Sequence, residues 1–179
     1  VIQSIDAETI YDVPLLMKEE GLDQVVLNTL NLDPNKTHDL EEWEAFLKKY
    51  KNPKHTLEIG LVGKYVELQD SYKSILEAIN HAGAVNETKV NVHSIHSEHL
   101  QAHEVEEKLK GLDGILVAPG FGERGIEGKI DAIRYARENK IPFFGICLGM
   151  QMAVIEHARN VMGLADANST EMNTACAHP

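Results

Sequence analysis

The stretch Ile141-Pro142-Phe143-Phe144-Gly145-Ile146-Cys147-Leu148-Gly149-Met150-Gln151 reads as an apolar strand, a tight turn carrying one cysteine, and the start of a helix. Pro142 opens the run, where a strand tolerates a missing N–H. Phe143, Phe144 and Ile146 suit a buried parallel strand, whose sequence is near-continuously apolar. Gly145 and Gly149 bracket Cys147, and glycine accepts the backbone of a sharp turn and the close approach of other chain. From Met150 to Met162 the spacing predicts a helix with Met150, Ala153, Val154, His157 and Val161 on one face. Such an elbow lifts a thiol to the carboxyl edge of a sheet, as the Gly-x-Ser-x-Gly turn lifts a serine. It also sets the sulfur at a helix N-terminus, which favours the thiolate. The N–H of Leu148 then faces an oxyanion. A small buried cysteine in a strand–helix turn is the competing reading.

Working back from the elbow, strands and helices alternate. Strands are expected at 57–62, 89–95, 113–118 and 141–146, and helices at 71–81, 98–109 and 128–138, with Gly83 ending the first of these. Ile75, Ala78, Ile79 and Ala82 point that first helix inward. This order argues an α/β fold: a parallel sheet with helices on both faces and ligands at the carboxyl ends of its strands. After the third strand comes a second glycine-rich turn, Pro119-Gly120-Phe121-Gly122-Glu123-Arg124-Gly125-Ile126-Glu127-Gly128-Lys129. The N–H groups of Gly120 and Phe121 are candidates to join that of Leu148 at an oxyanion. The rival reading is a phosphate cradle, but no Gly-Lys-Ser/Thr follows. Lys64 and Tyr65, after the first strand, also fall at this ligand edge.

Before the alternation, Val1–Ile5 reads as the end of a buried strand, and Pro14 as the first turn of a helix closed by Gly21. A helix over 22–30 presents Leu22, Val25, Val26 and Leu30. Thr37 or Asp39 caps a third, carrying Trp43, Phe46, Leu47 and Tyr50 as a packing stripe. Residues 51–55 make the best linker. With 179 residues and 43% hydrophobic content, the chain holds one core plus an appendage, and its two cysteines imply no disulfide framework. A formal charge of −11 disfavours nucleic acid or an anionic membrane as main partner. No transmembrane run is visible. His93, His96, His99 and His103 invite a metal reading, but their setting is a polar, solvated helix face, and no metal ligands are expected. Both ends look cut, so the chain reads as part of a longer protein.

Taken together, Gly145–Gln151, the loop Gly120–Lys129, the stretch Gly63–Ser74 and the turn Ala167-Asn168-Ser169-Thr170-Glu171 resemble the glutamine amidotransferase part of the CTP synthase family. The cysteine motif alone is similar to class I glutamine amidotransferases in general; the four together are specific. The resemblance implies a glutamine-hydrolysing ligase of pyrimidine biosynthesis, cytoplasmic and homotetrameric, which aminates UTP to CTP with ATP and Mg²⁺. It is activated by GTP and inhibited by CTP. It further implies Cys147 as the nucleophile and Gly120, Phe121, Leu148, Gly149, Met150, Gln151 and Glu171 around glutamine and its oxyanion. Arg124 would serve the GTP effector, and Ile5, Asp6 and Ala7 the ATP adenine. Residues 1–31 correspond to the end of the synthase domain, 32–56 to an interdomain helix and linker, and 57–179 to an amidotransferase domain without its C-terminal part. The family's catalytic His and Glu would lie beyond Pro179, so the chain alone should hydrolyse glutamine poorly. Here Ala118-Pro119 replaces a common Pro-Gly, and proline has no N–H to offer. Two alternatives are a non-catalytic regulatory domain of the same fold, and another cysteine-dependent acyl-transfer hydrolase such as a peptidase.

Overall fold

A computed structural model describes residues 1–3, 5–36 and 39–179. Its centre is a four-stranded, wholly parallel sheet of β1 (His55–Gly63), β2 (Thr88–His96), β3 (Gly114–Val117) and β4 (Phe143–Gly145), in the order β2-β1-β3-β4. Chain order reverses between β1 and β3, the place where α/β sheets open a crevice at their carboxyl ends. Registers such as Val62 opposite Val117 and Val117 opposite Gly145 bring the end of β1, the glycine loop and the elbow to one rim.

One face is covered by α5 (Val105–Leu109), α6 (Ile126–Glu138) and α7 (Leu148–Asn160). Val62, Ile115 and Val117 pack there against Ile130, Ile133, Leu148 and Met152. The other face carries α4 (Lys73–Val85), whose Ile75, Leu76 and Ile79 lie on Leu61 and Leu116. Helices thus lie on both faces, as expected. Because α4 covers mainly the β1–β2 half, an apolar groove lined by Ile59, Ile79, Leu116 and Phe144 stays open beside β3 and β4.

Upstream lie α1 (Val13–Glu19), α2 (Leu22–Thr29) and α3 (Glu41–Lys51). Pro14 sits in the first turn of α1, and Gly21, at φ 73°, separates α1 from α2. Thr37 lies outside the described residues; Asp39 accepts the Glu41 N–H at 2.8 Å. Trp43, Phe46 and Tyr50 of α3 surround Tyr11.

Several local expectations are corrected. Val1–Ile5 forms no strand among its described residues, and Val1 and Ile5 are exposed. Gly83 does not stop its helix, which runs on to Val85. It lies inside, where a Cβ would come 2.6 Å from the Thr88 carbonyl oxygen, so its role is close approach of α4 to β2. Ala78 and Ala82 are exposed rather than inward. The helix expected over 98–109 shrinks to Val105–Leu109, because Ser97 continues the sheet by donating its N–H to Gly63 O at 2.9 Å. His99 and His103 therefore share no helix, and His99 stacks on His96 at 4.2 Å. The face assigned to α7 is also wrong: Met150, Val154 and Val161 are exposed, while Leu148, Met152 and Ile155 are buried. Phe144 is exposed too, since it faces the open groove.

Candidate active site

The elbow is built by backbone contact. Cys147 is exposed and has φ 53° and ψ −109°, a strained conformation for a residue with a side chain. A Cβ on Gly145 would stand 2.6 Å from the Gly149 carbonyl carbon, and one on Gly149 would stand 2.2 Å from the Val117 carbonyl oxygen. Only glycine fits either place. Ile146 N–H donates to Val117 O at 3.0 Å, which ties the turn to β3, and Gln151 N–H donates to Cys147 O at 3.1 Å. That last bond begins the ladder of α7, so the N–H of Leu148 stands at the open N-terminus beside the thiol.

The glycine loop closes against this elbow. A Cβ at Gly120 would lie 3.7 Å from Leu148 Cδ2, so the loop and the helix start lie side by side with room for little between them. Phe121 projects into solvent at 80% exposure. Gly122 N–H approaches a carboxylate oxygen of Glu171 at 3.5 Å. The turn bearing Glu171 is itself held: Arg159 of α7 donates to Ala167 O at 2.7 Å and pairs with Glu127 at 3.1 Å. Cys147, Gly120, Phe121, Leu148, Gly149, Met150, Gln151 and Glu171 therefore share one rim, with Met150, Gln151 and Glu171 exposed.

Other expected residues stand apart from it. Arg124 extends from the loop and pairs with Glu98 at 3.3 Å. Ile5, Asp6 and Ala7 lie in the segment before α1, and among the described residues no hydrogen bond or ion pair joins them to the rim. His93 is taken by Glu58 at 2.5 Å. Among the described residues no group of three or more His, Cys, Asp or Glu is gathered as a metal site. His178 bonds Asp166 at 2.6 Å, which holds that carboxyl below the usual range.

Two lysines lie beneath the loop: Lys64, expected at the ligand edge, and Lys129, for which the sequence suggested no separate role. Lys129 is fully buried and donates to Ala118 O at 2.9 Å. Burial, then repulsion from Lys64, pushes its ammonium down to about 8, against an opposing pull from Cys147. Lys64 is 6% exposed and donates to Phe121 O. A signal for Lys129 existed: it lies on the stripe Ile126, Ile130 and Ile133, where a charge is out of place.

A thiol on a strained strand–helix elbow, beside a glycine loop and a helix N-terminus, is the kind of arrangement that nucleophilic acyl-transfer sites use. The family described as "Glutamine amidotransferase class-I" matches residues 67–178, and the chain belongs to it. Over its whole length the chain is 72% identical to the CTP synthase of Flavobacterium psychrophilum, and 71% to that of Flavobacterium johnsoniae. The CTP synthase of Methanocaldococcus jannaschii is 57% identical over 185 aligned residues. The chain spans about a third of the length of these relatives (33–34%). Among solved structures it resembles "Trypanosoma brucei CTPS - glutaminase domain with bound acivicin", at 44% identity and a TM-score of 0.65, over 68% of this chain and 48% of that one. Among the described residues no helix is long and apolar enough to cross a membrane.

Proposed function

We propose that this chain supplies the glutamine-hydrolysing centre of an enzyme that aminates UTP to CTP at the expense of ATP. The observation that carries the reading is the placement of the Cys147 elbow alongside the Gly120 loop, beside Glu171. In this chemistry the Cys147 thiolate attacks the side-chain carbonyl carbon of glutamine, and a C–S bond forms. The carbonyl oxygen becomes an oxyanion, received by the N–H groups of Gly120, Phe121 and Leu148. The C–N bond breaks and the amide nitrogen leaves as ammonia, taking up the proton that the thiol gave to its base. Water then cleaves the thioester to glutamate and restores the thiol. Gly149, Met150, Gln151 and Glu171 line the place for the amino-acid end of glutamine, where a carboxylate such as Glu171 suits an ammonium.

The finer assignments belong to the same proposal. Residues 1–31 belong to a synthase domain, 32–56 to a connection, and 57–179 to the amidotransferase domain. Ile5, Asp6 and Ala7 contact the adenine of ATP, and Arg124 senses GTP. CTP acts as feedback inhibitor, and the working enzyme is a cytoplasmic homotetramer. The Mg²⁺ of the ATP step finds no donor set among the described residues, and its ligands belong elsewhere in such an enzyme.

The test is ammonia release from glutamine by the full-length protein, its C147A variant and this chain alone. C147A should lose at least about 1,000-fold, and the chain alone should be as poor. Full activity in C147A overturns the reading. Labelling of the wild-type protein by acivicin should fall on Cys147; labelling only elsewhere favours a non-catalytic domain of this fold.

A further inference from the structure

Lys64 and Lys129 converge beneath the glycine loop from two different elements. Lys64 directly follows β1, and Lys129 lies in the first turn of α6. A Cβ at Gly120 would stand 3.6 Å from Lys64 Cε and 3.7 Å from Lys129 Nζ. Burying even one ammonium is costly, and two of like charge side by side cost more. What each gains is a carbonyl of the same loop: Phe121 O for Lys64, Ala118 O for Lys129. A charged donor makes the stronger kind of hydrogen bond. The trans peptide adds a directional consequence, because its C=O and N–H point opposite ways. With the Phe121 carbonyl held on Lys64, the following N–H, on Gly122, turns away from the lysine and toward Glu171.

We propose that Lys64 is a positioning residue for glutamine hydrolysis: with Lys129, it clamps residues 118–122 so that Gly120 rests on Leu148 and the Gly122 N–H meets Glu171. Neither lysine touches the reacting atoms; each acts through the loop's backbone. The kinetic part rests on the glutamine reading above, whereas the clamp itself does not.

The experiment uses K64M and K64R in the full-length protein. In K64M, kcat for glutamine hydrolysis should fall about 100-fold, the loss typical of one misplaced oxyanion donor, and KM should rise by less than that, because Glu171 is held only through the Gly122 N–H. Alkylation of Cys147 by iodoacetamide needs no oxyanion donor and should stay within about twofold. Amide exchange over 118–125 should quicken about tenfold, as it does when a local hold is released. K64R keeps the charge and should recover most of both losses. Unchanged exchange in K64M, or alkylation falling in step with kcat, overturns the proposal; the second outcome means collapse of the elbow itself. Equal losses in K64R and K64M also overturn it. If the wild-type protein releases no ammonia, the glutamine reading fails, while the exchange measurement still decides the clamp.

Discussion

At the Cys147 elbow the packing is backbone against backbone, whereas around Tyr11 it is ring against ring. The elbow leaves no room for a Cβ at Gly145 or Gly149 and presents the Cys147 side chain to solvent. Tyr11 is buried among Trp43, Phe46, Tyr50 and His81, with ring centres 5.1–6.0 Å away. Its carbonyl accepts the Trp43 indole N–H at 2.8 Å, and its hydroxyl meets Glu77 and His81 of α4. Burial, then Glu77, pushes the phenol above its usual range. The first region uses glycine to position a group that makes few contacts. The second uses large apolar area to fasten the upstream helices to the sheet domain. Exposure of a thiol at one end and cohesion at the other thus rest on opposite kinds of residue.

The sharpest way to break the contrast is G149A. The added methyl meets the Val117 carbonyl, so glutamine hydrolysis by the full-length protein should drop at least about 1,000-fold. Stability should fall by about 3 kcal/mol in urea unfolding, as overpacking does. An active G149A would show that the elbow tolerates a Cβ. Next, Y11A should cost about 3–4 kcal/mol, the usual loss for a buried aromatic. Iodoacetamide should still alkylate Cys147 at the wild-type rate in that variant, and a large change would link the two regions. A smaller effect separates Lys129 from both. Its folded-state value is about 8 against 10.5 for the free side chain, so between those pH values the unfolded chain binds more protons. Stability from this group therefore rises with pH across about 8 to 10.5, by at most about 3 kcal/mol. Melting curves of wild type and K129M should diverge over that window; parallel curves would mean that Lys129 is not buried as a charge.

The two regions were unequally legible. The elbow could be read because Gly-x-Cys-x-Gly after an apolar run has few backbone solutions, and the neighbouring loop followed from its glycines. The Trp43 stripe showed helical spacing, but its partner Tyr11 lies 32 residues upstream, and no local pattern links them. Periodicity misjudged α7 because that helix has apolar residues on two sides. Met150 and Val154 formed a plausible stripe, yet contact with α6 and the sheet buries Leu148, Met152 and Ile155. The polar segment at 98–109 looked helical from composition, but pairing of Ser97 with Gly63 and the tight seating of Gly125 and Gly128 against Ser97 keep its first part out of a helix.

The sequence by itself determined the alternation of strand and helix, the place of the Cys147 elbow and the glycines that frame it. These are local matters: steric limits on φ and ψ and the spacing of apolar residues act within a few positions. Only the tertiary structure decided which side of α7 is core, where the sheet face stays open, and that Lys64 and Lys129 turn inward. A lysine stem reaches far enough to be either solvated or buried. Here the choice is made by carbonyls of Ala118 and Phe121, which the fold brings from 11 and 57 residues away.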